Sequence, residues 1–64
     1  MRKLDSLPLH TRRSLLKIEG DYNDFVDRML QHGDWEYISF EDFAVTYCEF
    51  HDREIARIFW EEVA

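Results

Sequence analysis

The sequence predicts an all-α fold, a small domain of three to four helices that ends in a long C-terminal helix. Apolar residues recur at spacings of three and four along most of the chain. No segment alternates apolar and polar residues over the length of a strand; residues 36–40 come nearest and are too few. One proline and two glycines, Pro8, Gly20 and Gly33, punctuate the chain.

A first helix is expected over residues 6–19. Ser6 and Thr11 are its N-cap candidates, and Pro8 falls in the first turn, where its missing N–H costs little. The apolar residues Leu7, Leu9, Leu15, Leu16 and Ile18 do not settle on one stripe, and Gly20 is read as the end. A second helix is expected over 22–32 behind Asp21 as cap. Tyr22, Phe25, Val26, Met29 and Leu30 fall at i, i+3, i+4, i+7 and i+8, one apolar stripe, and Gly33 closes it. Asn23, Asp24, Asp27, Arg28 and Gln31 make the opposite face, with Asp24 and Arg28 at the i, i+4 spacing of a surface ion pair.

A third helix is expected over 40–62. Ser39 to Asp42 resembles a capping box with Asp in the place of Glu or Gln, and Ile38 and Phe43 are spaced as a hydrophobic staple. Phe40, Phe43, Ala44, Tyr47, Ile55, Ile58 and Phe59 keep helical spacing, giving about 33 Å of helix at 1.5 Å per residue. Asp52 offers a second N-cap that would divide this segment in two. Glu49/Arg53 and Glu54/Arg57 read as solvated ion pairs.

Size and chemistry together argue against catalysis. A 64-residue chain buries only about 60% of the surface its unfolded form exposes, leaving little room for a cleft. His10, His32 and His51 are far apart in sequence, and no CxxC or HExxH spacing occurs. Cys48 and His51, at i, i+3, could pair a thiol with an imidazole, but nothing suggests an oxyanion site beside them. The adjacent acids Glu41–Asp42 and Glu61–Glu62 point different ways from a helix. The expectation is a protein with no catalytic residue, no metal site and no cofactor. Cys48 is the one cysteine, so no internal disulfide forms, which fits a reducing, cytoplasmic setting. No apolar run approaches the ~18 residues of a membrane span, and residues 1–17 lack a signal-peptide core.

Charge is divided unevenly. The net charge is -6. Residues 1–20 hold five cations (Arg2, Lys3, Arg12, Arg13, Lys17) against two anions, a net +3, whereas residues 21–64 hold three arginines against twelve carboxylates, a net -9. Such a body repels a phosphate backbone, so nucleic acid could be touched only through the basic N-terminal segment. Its complement is a basic protein surface. Ten aromatic residues supply contact area. Phe25, Phe43, Tyr47, Phe50 and Phe59 fit a helical core. Trp35 and Tyr37 fall in a loop and Trp60 off the main stripe, and exposed aromatics of this kind anchor protein interfaces.

Asn23-Asp24-Phe25-Val26-Asp27-Arg28 and Ser39-Phe40-Glu41-Asp42-Phe43-Ala44-Val45-Thr46-Tyr47, with Arg53 six residues on, resemble the Hha/YmoA family of small helical gene-expression modulators. In that family an Ile-Asp-x-Leu-Glu-Arg segment precedes Ser-x-x-Glu-Leu-Ala-Val-x-Tyr, and an Arg follows six residues later. The resemblance spans about residues 23–57 and needs one inserted residue in the loop before Ser39. It implies docking on an H-NS-type DNA-binding protein through acidic residues, with Asp24 and Asp27 at the positions of the family's acidic pair. A third acidic position of the family falls on His51, with Asp52 beside it, and the negative charge here is heavier than the family's.

The combined expectation is a non-enzymatic modulator of transcription or nucleoid proteins. Asp24, Asp27 and Asp52 would supply charge, and Trp35 and Trp60 apolar anchors, against a basic partner. Two alternatives stand beside it. One is a phage- or plasmid-type inhibitor that imitates DNA with arrayed carboxylates. The other is a self-associating or antitoxin-like module, in which Trp60 and Ile58 pack on a second copy as a homodimer.

Overall fold

Residues 3–33 and 37–63 are described in a computed structural model of the chain, and every regular element among them is helical. A 3-10 turn at Lys3–Ser6 precedes α1 (Leu9–His32), α2 (Phe40–Tyr47) and α3 (Arg53–Val63).

α1 is one helix of 24 residues, which corrects the expectation of two. Gly20 and Asp21 are interior residues, not a terminator and a cap. The cause is an apolar stripe that crosses the expected break. Leu15, Ile18, Tyr22, Phe25 and Met29 alternate steps of three and four; the first three are buried and the other two half-buried. Only helical backbone across residues 19–21 puts Ile18 and Tyr22 on the same core surface, and that burial outweighs the roughly 1 kcal/mol a mid-helix glycine costs relative to alanine. Pro8 takes the N-cap position instead of Ser6 or Thr11. It is extended (φ -56, ψ 147), and its carbonyl accepts the first helical bond from the Arg12 N–H at 3.1 Å. Gly33 ends the helix as expected. Its φ of 72 lies in the left-handed region, and its N–H reaches the Leu30 carbonyl at 3.4 Å.

The expected helix over 40–62 is two helices, so the C-terminal helix is short, with 11 residues. Ser39 caps α2 as foreseen, its Oγ accepting the Asp42 N–H at 3.3 Å. After Tyr47 the chain turns: Cys48 is the C-cap, Glu49 holds a positive φ of 55, and the Phe50 N–H reaches back to the Ala44 carbonyl at 2.9 Å. Asp52 then caps α3, its Oδ1 accepting the Ile55 N–H at 3.0 Å. Burial explains the break. Ala56 and Phe59 are fully buried only because α3 folds back on α2. A straight continuation would carry both residues away from Phe40 and Phe43.

Aromatic rings dominate the core. Tyr22 of α1 stands edge-on to Phe40, Phe43 and Trp60 at centroid distances of 5.7, 5.4 and 5.5 Å. Phe40 stacks on Trp60 at 4.8 Å and on Phe59 at 6.0 Å. Such pairs add about 0.5–1.5 kcal/mol each beyond the area they bury. The Tyr22 hydroxyl donates to the Ile38 carbonyl at 2.8 Å, which pins the segment entering α2 to α1. The N-terminal turn is tied to the end of α3 by the Leu4 N–H donating to Glu62 Oε2 at 2.8 Å. The molecule measures 40 × 21 × 16 Å, the long dimension being α1. Two residues assigned to the core by spacing lie outside it: Leu30 and Tyr47 are each 60% exposed.

Candidate partner-binding surface

Three carboxylates of α1, Asp21, Asp24 and Asp27, are exposed on successive turns of its second half. The ion pairs between described residues lie elsewhere. Arg53 meets Asp42 at 3.3 Å, and Arg57 meets Glu54 at 3.7 Å and Glu61 at 2.9 Å. The expected Glu54/Arg57 pair therefore forms. Arg53 turns to α2 and not to Glu49, because Glu49 sits in the left-handed turn and no longer shares a helix face with it. The expected Asp24/Arg28 pair is not among those formed. Asp42 of α2 and Glu54 and Glu61 of α3 thus spend their charge within the fold, whereas Asp21, Asp24 and Asp27 of α1 present it outward. Asp52 is exposed as well, but its carboxylate is occupied as the cap of α3.

The aromatic anchors are redistributed. Trp60 is half-buried, its indole stacked on Phe40 and edge-on to Tyr22, so the packing of α3 uses most of its surface. Trp35 lies outside the described residues. Tyr37 and Tyr47 take the exposed places, at 74% and 60%. Together with Phe25, Met29 and Ile38 they line a groove of about 600 Å³ between α1 and α2. A shallower continuation of that face brings in Asp21, Arg28 and His32. The ring of Tyr47 lies 5.7 Å from Phe25 and 5.4 Å from Phe43, so the side chain is braced at its base and open at its hydroxyl. The sequence signal for this was the residue type: a tyrosine in the last turn of a helix keeps its ring on the core and its oxygen in water.

A second groove, of about 640 Å³, runs between the first half of α1 and the turn joining α2 to α3, and holds Cys48, His51, His10, Lys17 and Asp21. Cys48 is a free, half-buried cysteine. Burial pushes its thiol above the usual range, the Asp21 carboxylate adds to the rise, and Lys17 offsets part of it. A thiol held protonated is a poor nucleophile, the reverse of what covalent catalysis requires. Among the described residues no three His, Cys, Asp or Glu side chains gather as a metal site. No described helix is long and apolar enough to cross a membrane.

Compared with known proteins, the chain matches no family model, no curated protein sequence and no solved structure.

Proposed function

We propose that this is a non-enzymatic binding module that docks the acidic second half of α1 on a basic protein. The observation that carries the reading is the outward, unpaired state of Asp21, Asp24 and Asp27 on the half of α1 whose Phe25 and Met29 wall a groove edged by exposed Tyr37 and Tyr47. Carboxylates supply steering and orientation, and the tyrosine-edged groove supplies apolar contact area. The resemblance of residues 23–57 to the Hha/YmoA modulators gives the partner its character, a DNA-binding protein of the H-NS type with a cationic docking surface. Transcription or nucleoid structure is the process modulated, in the cytoplasm.

The competing reading as a DNA mimic needs unpaired carboxylates arrayed along a face. Arg53 and Arg57 neutralise that array on α2 and α3, where they pair with Asp42, Glu54 and Glu61. Replacing Asp24 and Asp27 together by Asn tests the preferred reading. Capture of an H-NS-type protein should weaken about tenfold and its salt dependence flatten, since two exposed charges at an interface are worth on the order of 1–2 kcal/mol. Capture at low salt that is unchanged by the double substitution removes these residues from the interface. Displacement of the protein from its target by duplex DNA would favour the mimic.

A further inference from the structure

α1 carries a second apolar stripe that its own fold leaves uncovered. Leu9, Leu16 and Leu30 are 55%, 56% and 60% exposed, and with Asn23 at the remaining position they repeat every seven residues along 24 residues of helix. A seven-residue repeat keeps residues on one slowly drifting face, the pattern of a helix that packs lengthwise on another helix. The face is distinct from the Leu15–Ile18–Tyr22 stripe and lies on the flank of α1 away from the Tyr37/Tyr47 groove.

Charge says what covers it. The first half of α1 holds Arg12, Arg13 and Lys17 against Glu19, a net +2, and the second half holds Asp21, Asp24 and Asp27 against Arg28, a net -2. This polarity opposes the helix dipole, which favours anions at the N-terminus and cations at the C-terminus. Arg13 and Asp27, both exposed and next to the leucine stripe, have no ion-pair partner among the described residues. An antiparallel copy of the same helix answers both the side-chain charges and the dipole, basic half on acidic half. The midpoint of such a pair falls at Gly20, where a side chain would meet nothing within 4 Å and the helix surface is at its lowest.

We infer that the protein forms a two-fold symmetric dimer through antiparallel pairing of α1 about Gly20. Symmetry then sets Leu9 beside Leu30 of the second copy, Leu16 beside Asn23, and Arg13 beside Asp27, each contact made twice. A parallel pair would match Asn23 with Asn23, a favourable layer, but it would also place Arg13 on Arg13 and Asp27 on Asp27 and align the dipoles. The surface differs from the Trp60 and Ile58 contact suggested by sequence, since Trp60 is stacked in the core. The dimer does not rest on the basic-partner reading: the Tyr37/Tyr47 groove stays open in it, and Asp27 is the residue that both surfaces use.

Sedimentation equilibrium of the whole chain over a wide concentration range should show a mass rising from 7.9 kDa to twice that value. Leu16→Glu, at an exposed position, should leave helicity by circular dichroism unchanged and weaken dimerisation at least tenfold. Arg13→Asp and Asp27→Arg should each weaken it about threefold, the worth of an exposed ion pair made twice, and the double variant should restore it. A mass of one chain at every concentration overturns the inference. So does a dimer that ignores Leu16→Glu. Loss with Leu16→Glu but no response to either charge reversal would mean parallel pairing and overturns the antiparallel arrangement.

Discussion

Gly20 and Glu49 occupy opposite situations. Gly20, the residue best suited to left-handed backbone, lies in the middle of an unbroken 24-residue helix. Glu49, which has a Cβ and pays for a φ of 55, stands where the chain reverses between α2 and α3. Local preference would exchange these two roles. What overrides it is where the flanking apolar residues must go. Ile18 and Tyr22 on either side of Gly20 belong to one core surface, which demands straight helix. Ala44 and Ala56 on either side of Glu49 belong to two helices facing each other, which demands a turn. In a domain this small a few fully buried side chains decide backbone geometry against penalties of about 1–2 kcal/mol per residue.

If burial drives the turn at Glu49, removing the side chain that α3 buries deepest should have the largest effect. Phe59→Ala deletes a ring that is 1% exposed and packs on Phe40; the expected loss is about 3–5 kcal/mol. The core of a domain this size supplies only about 3–5 kcal/mol in all, so the loss uses up the whole of it. Far-UV circular dichroism should show an extensively unfolded chain at room temperature. A variant that melts cooperatively near the parent temperature would mean that Phe59 does not hold α3 in place.

On the Gly20 side the corresponding contact is Tyr22. Tyr22→Phe keeps the ring but leaves the Ile38 carbonyl without its donor, for a cost of about 1–2 kcal/mol. The same substitution changes the pH dependence. Burial first, and then Tyr37 and Glu41, raise the Tyr22 pKa above the ordinary phenol value of 10.0, so the fold favours the neutral phenol. A raised folded pKa means stability that is intact below the unfolded value and lost as pH climbs through the folded one. Denaturant midpoints of the parent should therefore fall above pH 10, and those of Tyr22→Phe should fall less steeply. Equal slopes would remove Tyr22 as the titrating group.

The capping of α3 should matter less. Asp52→Ala removes the acceptor for the Ile55 N–H and should cost about 1 kcal/mol, seen as a drop in Tm of about 4–8 °C. No change in Tm would show that water serves the Ile55 N–H as well as Asp52 does.

These positions also mark what could be read from the chain. The all-α class followed from periodicity, and Ser39, Asp52 and Gly33 are caps whose side-chain or backbone chemistry is local, so the sequence displays it. The unbroken α1 was legible too, in the three-four spacing of Leu15, Ile18, Tyr22, Phe25 and Met29, but only if Gly20 is weighed against that stripe and not read alone. The place of Trp60 was not legible. It depends on the angle at which α3 returns through the left-handed turn at Glu49, and no pattern in the sequence encodes a left-handed glutamate. Of the surface, the exposed acids Asp24 and Asp27 were readable from their side of the helix. Tyr47 was readable only in part, because its residue type put an oxygen in water while its helical spacing assigned it to the core.

The smallest effects give the sharpest test of the contrast between Gly20 and Glu49, because they act on the backbone alone. Glu49→Gly should relieve the left-handed penalty and stabilise the fold by about 0.5–1 kcal/mol. Gly20→Ala should do the same through helix propensity, since its new methyl meets nothing within 4 Å and the gain in a helix interior is about 0.5–1 kcal/mol. The two substitutions differ once the chain concentration is raised. Glu49 is remote from the leucine stripe, so its gain in Tm should be the same at every concentration. Gly20 is the proposed crossing point of two α1 helices, where a methyl on each copy holds the backbones apart. Its gain should therefore be full in dilute solution and shrink as dimer forms. A Gly20→Ala increment that stays constant over the whole concentration range would leave the glycine as a cost that the apolar stripe of α1 overrides, with no role in bringing two helices together.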